Sequence, residues 1–216
     1  MFGFKVEVWG DYACFSRPEL KVERVSYEMI TPSAARGLLE AVFWKPAIRY
    51  VIDEIAVCKP IKFDNIRRNE ISSKASSAGT PIIASEDRAQ RAALVLRDVR
   101  YVITAHFKMT DKAGAGDNEG KFTDIIRRRL EKGQHFHQPY LGTREFAAKV
   151  RLVTSDEPPA PPIDESRSLG LMLYDMDYVY ETNNHGEQVV KEFKPSYFMA
   201  EMVNGIVNLR NVEVLR

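Results

Sequence analysis

One stretch constrains the fold more than any other. From Val99 to Met109 the chain alternates without a break. Val99, Tyr101, Ile103, Ala105, Phe107 and Met109 fall on one face, and Arg100, Val102, Thr104, His106 and Lys108 on the other. A period of two is that of a β-strand. A strand with one wholly apolar face has to lie against a second layer, so an all-helical fold is excluded. Phe2, Phe4, Val6 and Val8 repeat the pattern at the start of the chain, and Ile48, Tyr50 and Ile52 begin a third strand that runs to about Cys58. Between the first and third strands, Thr31-Pro32 reads as an N-cap with proline at the first helical position. Ala34, Leu38 and Val42, with Ala35, Leu39 and Phe43, give that helix an apolar side, and Pro46 bounds it.

A second helix is predicted near Phe122, with Phe122, Ile125, Ile126 and Leu130 inward and Gly133 as its C′ residue. A strand is expected between Pro139 and Val153. The stretch 66–92 holds scattered Arg, Ser-Ser and Ala-Gly-Thr-Pro, and reads as a long mobile insertion. Pro158-Pro159-Ala160-Pro161-Pro162 reads as a stiff spacer. Beyond it, alternation from Met172 to Tyr180, a turn at Asn183 to Gly186 and a hairpin signal at Asn204-Gly205 predict a small antiparallel sheet. The expected fold class is therefore α+β. A modified ferredoxin-like βαββαβ domain spans 1–154, provided one strand lies near Pro60 to Phe63 or within the long stretch. A Pro-rich linker and antiparallel β-sheet span 155–216. The ferredoxin-like sheet, the layout of the RNA-recognition module, is expected to give one face to helices and leave the other for partners.

Composition narrows function mainly by exclusion. The 216 residues are 44% hydrophobic and 28% charged, which is globular composition. Cys14 and Cys58 are the two cysteines, too few for a disulfide framework or a multi-cysteine zinc module. No apolar run suits a membrane span, and the charged, alternating start is unlike a secretory signal, so a reduced, cytoplasmic setting is expected. The net charge of +1 hides an asymmetry. Residues 121–151 carry eight basic and three acidic residues, a balance of +5, whereas 155–192 carry two and nine, a balance of −7. Either one face meets phosphate and another does not, or both are solvated surfaces.

Two motifs fail on spacing. Gly114, Gly116, Gly120 and Lys121 sit where a phosphate loop belongs. However, Ala115 occupies the required first glycine, and Phe122 the Ser or Thr that would hold magnesium. A dinucleotide fingerprint fails by one residue over Gly114 to Gly120. His135 and His137, two apart, would share a strand face. No carboxylate or cysteine pattern accompanies them, so pocket or surface histidines fit better than a metal site, and no cofactor is implied.

Five ordered blocks carry a resemblance. They are Trp9-Gly10-Asp11-Tyr12-Ala13-Cys14-Phe15 with Ser26-Tyr27; Thr31-Pro32-Ser33-Ala34-Ala35-Arg36-Gly37; Phe43-Trp44-Lys45-Pro46; Asn118-Glu119-Gly120-Lys121; and the run from Gly133-Gln134-His135-Phe136-His137 through Gln138-Pro139-Tyr140-Leu141-Gly142 to Thr143-Arg144-Glu145-Phe146. Together they resemble the CRISPR-associated Cas5d proteins of subtype I-C, within the repeat-associated mysterious protein superfamily.

The resemblance implies binding of a CRISPR repeat RNA hairpin and metal-independent cleavage of the precursor transcript by attack of a 2′-OH. It also implies retention in an interference complex beside a backbone-forming and a large subunit, and leaves contact with duplex DNA open. The family's trio of Tyr, Lys and His falls on Phe43, Lys121 and Phe122, and neither phenylalanine can move a proton. Two readings follow. In the first, Lys121, His135, His137 and Tyr140 supply the chemistry, histidine being suited to proton transfer near neutral pH. Lys45, Arg67, Arg68, Arg127, Arg128, Lys132 and Arg144 would then grip RNA. In the second, the protein binds RNA without cutting it. Blander roles stay open for single residues: Tyr140 and Phe146 as core, Arg144–Glu145 as an internal ion pair, Lys121 as a solvated residue, and 66–92 as a disordered crossover.

Overall fold

The computed structural model describes residues 3–216 apart from 21–22, 75–78, 80, 184–185 and 187. In chain order its elements are β1 (Gly3–Ala13), β2 (Arg24–Val25), α1 (Pro32–Val42), β3 (Ile48–Val57), β4 (Phe63–Ile71), β5 (Arg88–Met109), α2 (Glu119–Glu131), β6 (Lys149–Leu152), β7 (Arg167–Thr182), β8 (Gln188–Met202) and β9 (Ile206–Asn208). The fold is α+β. The main sheet runs β6-β1-β5-β3-β9, with β2 and β4 also pairing to β5, and β7 and β8 form a second, two-stranded sheet. The neighbours β1–β5, β3–β5 and β1–β6 are all antiparallel, and the order of these four strands is the interleaving that a βαββαβ plan requires.

The apolar face of β5 is the floor of the core. Tyr101, Ile103, Ala105 and Phe107 are buried together with Tyr50 and Ile52 of β3 and Leu38, Leu39, Phe122 and Ile126 of the helices. Full burial of one such side chain stabilises by about 1.5–3 kcal/mol. Thr31 caps α1 by accepting Ala34 N–H at 3.2 Å, with Pro32 in the first turn. Asn118 caps α2 by accepting Lys121 N–H at 2.9 Å, and Gly133 leaves that helix at φ +62°. Asn204 and Gly205 turn at φ 49° and 75°, as the hairpin signal requires. Met172, Phe198, Ala200 and Met202 of the β7–β8 ribbon join the same core. Among the described residues no helix is long and apolar enough to cross a membrane.

Several expectations need correction. The stretch 66–92 is not one long insertion: β4 pairs antiparallel with the start of β5, from Phe63↔Leu96 to Ile71↔Arg88. The four strands of the βαββαβ plan are β1, β3, β5 and β6, so β4 is additional to it and forms an arm with the extended start of β5. The pattern hid because β4 alternates polar with half-buried positions rather than polar with apolar. Residues 75–78 and 80 of that stretch, Phe2, and part of the Asn183 to Gly186 turn lie outside the described residues. Helix α1 stops at Val42, before Pro46, because Phe43 turns extended at φ −156°. The last strand before the linker is only β6, since Leu141–Phe146 is a turn closed by the Tyr140↔Ala147 bridge.

The far face of the main sheet is not left open. The Pro-rich segment crosses it: Ala160 N–H donates to Glu7 Oε1 at 3.0 Å, Cys58 Sγ to Ala160 O at 3.3 Å, and Ile163 N–H to Val57 O at 2.9 Å. Glu7, Val102 and His106 are buried there. The carboxylate of Glu7 is paired with Arg151 at 2.5 Å and Arg100 at 3.5 Å, and His106 Nδ1 meets Asp53 Oδ2 at 2.8 Å.

Candidate functional site

The three positions that the resemblance marks meet at the junction of α1 and α2. Phe43 follows the last turn of α1, and Phe122 lies in the first turn of α2. Their ring centroids are 6.0 Å apart, and Phe107 of β5 closes the stack at 6.5 Å from Phe122. Phe122 is wholly buried and Phe43 nearly so. Lys121 Nζ stands 5.7 Å from the Phe122 ring, and the Arg129 guanidinium 5.3 Å from the Phe43 ring. The convergence is of two cations and two hydrocarbon rings, without a proton donor or acceptor at either aromatic position.

Lys121 is half exposed. Its ammonium donates to Asp117 Oδ1 at 3.0 Å and Gly116 O at 3.2 Å. The hydrogen bond from Lys121, then that from Gly114 N–H, holds the Asp117 carboxyl below the usual carboxylate range. Asp117 and Glu119 offset the poor placement of a cation at a helix start. Swinging away from this exposed pair costs little, so the ammonium is available to a phosphate.

His135 and His137 do not lie on a strand as their spacing predicted. They sit in irregular backbone after Gly133, because Ala41 O at the end of α1 accepts both Phe136 N–H at 2.9 Å and His137 N–H at 3.0 Å. This satisfies a helix-end carbonyl and pins the loop. The two imidazoles then part company. His135 lines a cleft of about 360 Å³ with Trp9, Arg129, Gln138 and Lys149. His137 lines a groove of about 700 Å³ with Glu40, Trp44, Phe136, Tyr140 and Arg144. Lys121 lines neither. The four residues put forward for catalysis are thus spread over three places around the two helices.

The cations differ in freedom. Lys45, Arg67, Arg128, Lys132 and Arg144 are exposed. Arg127 is exposed and lies 3.3 Å from Glu131 on its own helix. Arg68 is occupied: its guanidinium pairs with Glu145 and stands 5.6 Å from the Phe146 ring. Glu145 also accepts from Thr143 at 2.7 Å, so the alternative of an Arg144–Glu145 pair is replaced by Arg68–Glu145. These hydrogen bonds and Arg68 draw the Glu145 carboxyl down despite its partial burial. Phe146 packs on the core as one alternative held, whereas Tyr140 is 37% exposed.

Sequence reasoning gave no role to Arg129, Trp44 or Phe136. Arg129 donates to Val42 O at 2.8 Å and ties α2 to the end of α1. Trp44 and Phe136 are 54% and 72% exposed, and both line the groove of His137. Their signal was a large aromatic beside a polar run, with no partner at helical or strand spacing.

The family model described as CRISPR-associated protein (Cas_Cas5), of the Cas5d type, matches residues 3–210. A Mannheimia succiniciproducens protein named CRISPR pre-crRNA endoribonuclease Cas5d is 47% identical over 221 residues, covering 95% of this chain and 93% of that protein. A Thermus thermophilus protein of the same name is 45% identical over 182 residues, covering 83% and 75%. Among solved structures, a CRISPR-associated protein superposes with a TM-score of 0.69 at 22% identity, covering 97% of this chain and 92% of the other. A functionally uncharacterized Streptococcus mutans protein, SMU1763c, gives 0.68 at 21%, covering 97% and 93%. These two likenesses show the fold, and the sequence matches show the family. A chain whose match runs from the first described strand to the turn after β9, and which keeps nearly half the residues of its relatives, belongs to the Cas5d family of CRISPR-associated proteins.

Proposed function

We propose that this chain works in the cytoplasm, where it binds the hairpin of a CRISPR repeat transcript and cuts it without a metal ion. It then stays on the guide RNA in a subtype I-C interference complex, against the backbone-forming and large subunits. The observation that carries the reading is the exposed Lys121 ammonium at the α1–α2 junction, next to the Phe43–Phe122 pair, on a surface that also exposes Lys45, Arg128, Lys132 and Arg144, for which no ion pair is found among the described residues. The two relatives named as pre-crRNA endoribonucleases support it.

In the proposed step the 2′-oxygen bonds to the adjacent phosphorus while the bond to the 5′-oxygen breaks. The products are a 2′,3′-cyclic phosphate and a 5′-hydroxyl. Lys121 stabilises the charge on the crowded phosphate. His137, with Tyr140 in the same groove, is the candidate for moving the proton, and His135 serves the neighbouring cleft. The test is cleavage of the cognate repeat RNA in EDTA. Cutting is expected, and a 2′-deoxy substitution at the scissile nucleotide should abolish it. Lys121→Ala should slow cutting more than it weakens binding. Cutting that survives the deoxy substitution rules out the nucleophile.

A second reading, binding without cleavage, is favoured by one observation: Phe43 and Phe122 are core rings, not reactive groups. A silent parent that gains cutting on Phe43→Tyr with Phe122→His would establish it. Contact with duplex DNA is a separate activity within either reading.

A further inference from the structure

The groove between α1 and the loop after α2 holds two exposed aromatic rings, Trp44 and Phe136, that no part of the proposed cleavage uses. Trp44, Phe136 and Tyr140 line it with His137 and Arg144. Trp44 is 54% exposed and Phe136 72%. Leaving such rings in water forgoes the free energy of burial, so packing does not explain them. Flexibility does not explain them either. Phe136 is fixed by its own N–H on Ala41 O at 2.9 Å and by the His137 ring, 4.4 Å away at an interplanar angle of 66°. Trp44 directly follows the buried Phe43, and Tyr140 is held by its bridge to Ala147. The rings are therefore presented in place rather than merely uncovered.

The charges at the groove select the occupant. Arg144 is exposed and has no ion pair among the described residues. Among the described residues of the lining Glu40 is the one carboxylate, and it is paired at 2.7 Å with Arg36, a guanidinium it shares with Asp175 at 2.6 Å. Rigid rings with an unspent guanidinium are what an unpaired nucleotide needs: a flat face for the base and a cation for its phosphate. We propose that this groove stacks one or two unpaired nucleobases of single-stranded RNA, between Trp44 and Phe136 with Tyr140 at the edge, while Arg144 holds the phosphate. This rests on the RNA-binding reading above and adds to it a subsite for unpaired chain, built on Trp44 and Phe136 and sharing only Arg144 with the cations that grip the hairpin.

The experiment uses the full chain and three RNAs: hexaadenylate, a hexamer with the same phosphates and abasic sugars, and the repeat hairpin trimmed to its paired stem. Hexaadenylate should quench tryptophan fluorescence, and the quenching should vanish in Trp44→Phe. It should bind at least about tenfold more tightly than the abasic hexamer, and Phe136→Ala should lose about tenfold for hexaadenylate with stem binding unchanged. Both substitutions fall on exposed side chains and leave the core intact. Equal affinity for the adenylate and abasic hexamers overturns the inference and leaves the rings to a protein partner. If the stem still binds in that case, the RNA reading stands without this subsite. If neither hexamer nor hairpin binds, both fall.

Discussion

Glu7→Gln should weaken the fold by about 2–3 kcal/mol, although it removes no atom from the carboxamide outline. Glu7 is 1% exposed and receives four donors. Arg151 Nε at 2.6 Å and Nη2 at 2.5 Å reach Oε2, while Ala160 N–H at 3.0 Å and Arg100 Nη1 at 3.5 Å reach Oε1. Glutamine keeps one acceptor and turns an NH₂ toward one of these pairs. Either Arg151 loses its short Nε hydrogen bond and the ion pair beside it, or Ala160 and Arg100 lose their bonds. A hydrogen bond to a charged group is worth about 1.5–3 kcal/mol. The loss is moderated because Arg151 keeps Glu157 at 3.1 Å. In a chain of this size 1 kcal/mol moves Tm by about 2–4 °C, so a fall of about 5–10 °C is expected by calorimetry. In an Arg151→Met background the same change should cost about 1.5 kcal/mol less, since the principal donor is already gone. A shift below about 1 °C in the native background would refute the view that this carboxylate clamps the Pro-rich segment to the sheet.

Two further outcomes follow from close contacts. Gly142→Ala should destabilise by about 3 kcal/mol or more: Gly142 sits at φ +86°, and an added Cβ would strike the Cys14 carbonyl. Unchanged thermal unfolding would refute that close approach. Burial, then the charge of Glu7, pushes the Cys58 thiol up to about 11. Its alkylation should therefore rise about tenfold per pH unit until near that value, and Glu7→Gln should shift the profile to lower pH. The raised value also means that the stability Cys58 contributes is complete below the unfolded thiol's pKa and is lost as pH rises toward 11. A rate that levels off near pH 9 would refute the desolvation.

The parts of the fold that were legible in the sequence are those where one physical signal acts alone. The alternation of β5 from Val99 to Met109, the Thr31-Pro32 start of α1, Gly133 after α2 and the Asn204-Gly205 turn are local, and each is found where the residues placed it. The arm was not legible, because β4 carries Asn65, Arg67 and Asn69 outward and Arg68 and Glu70 on its half-buried side. Arg68 is tolerated there only through Glu145 and Phe146, 77 residues on, a partnership that no local pattern encodes. The histidine loop failed for a related reason. Spacing of two reads as a strand, yet one carbonyl of α1 accepts both neighbouring N–H groups and fixes irregular backbone. Site residues were visible as residue types, but their separation into a lysine, a cleft and a groove is tertiary.

Strand β5 is continuous from Arg88 to Met109, and Asp98, at φ 51°, is the one residue along it with left-handed backbone. The arm and the layer beneath the helices therefore share a single spar. Asp98 is where a bend of that spar can be taken up, and on either side of it the rungs shared with β1, Gly10↔Val99 and Tyr12↔Arg97, carry a displacement of the arm into the sheet. Whatever seizes the tip of this molecule also leans on the floor under Phe122 and, through it, on the footing of Lys121.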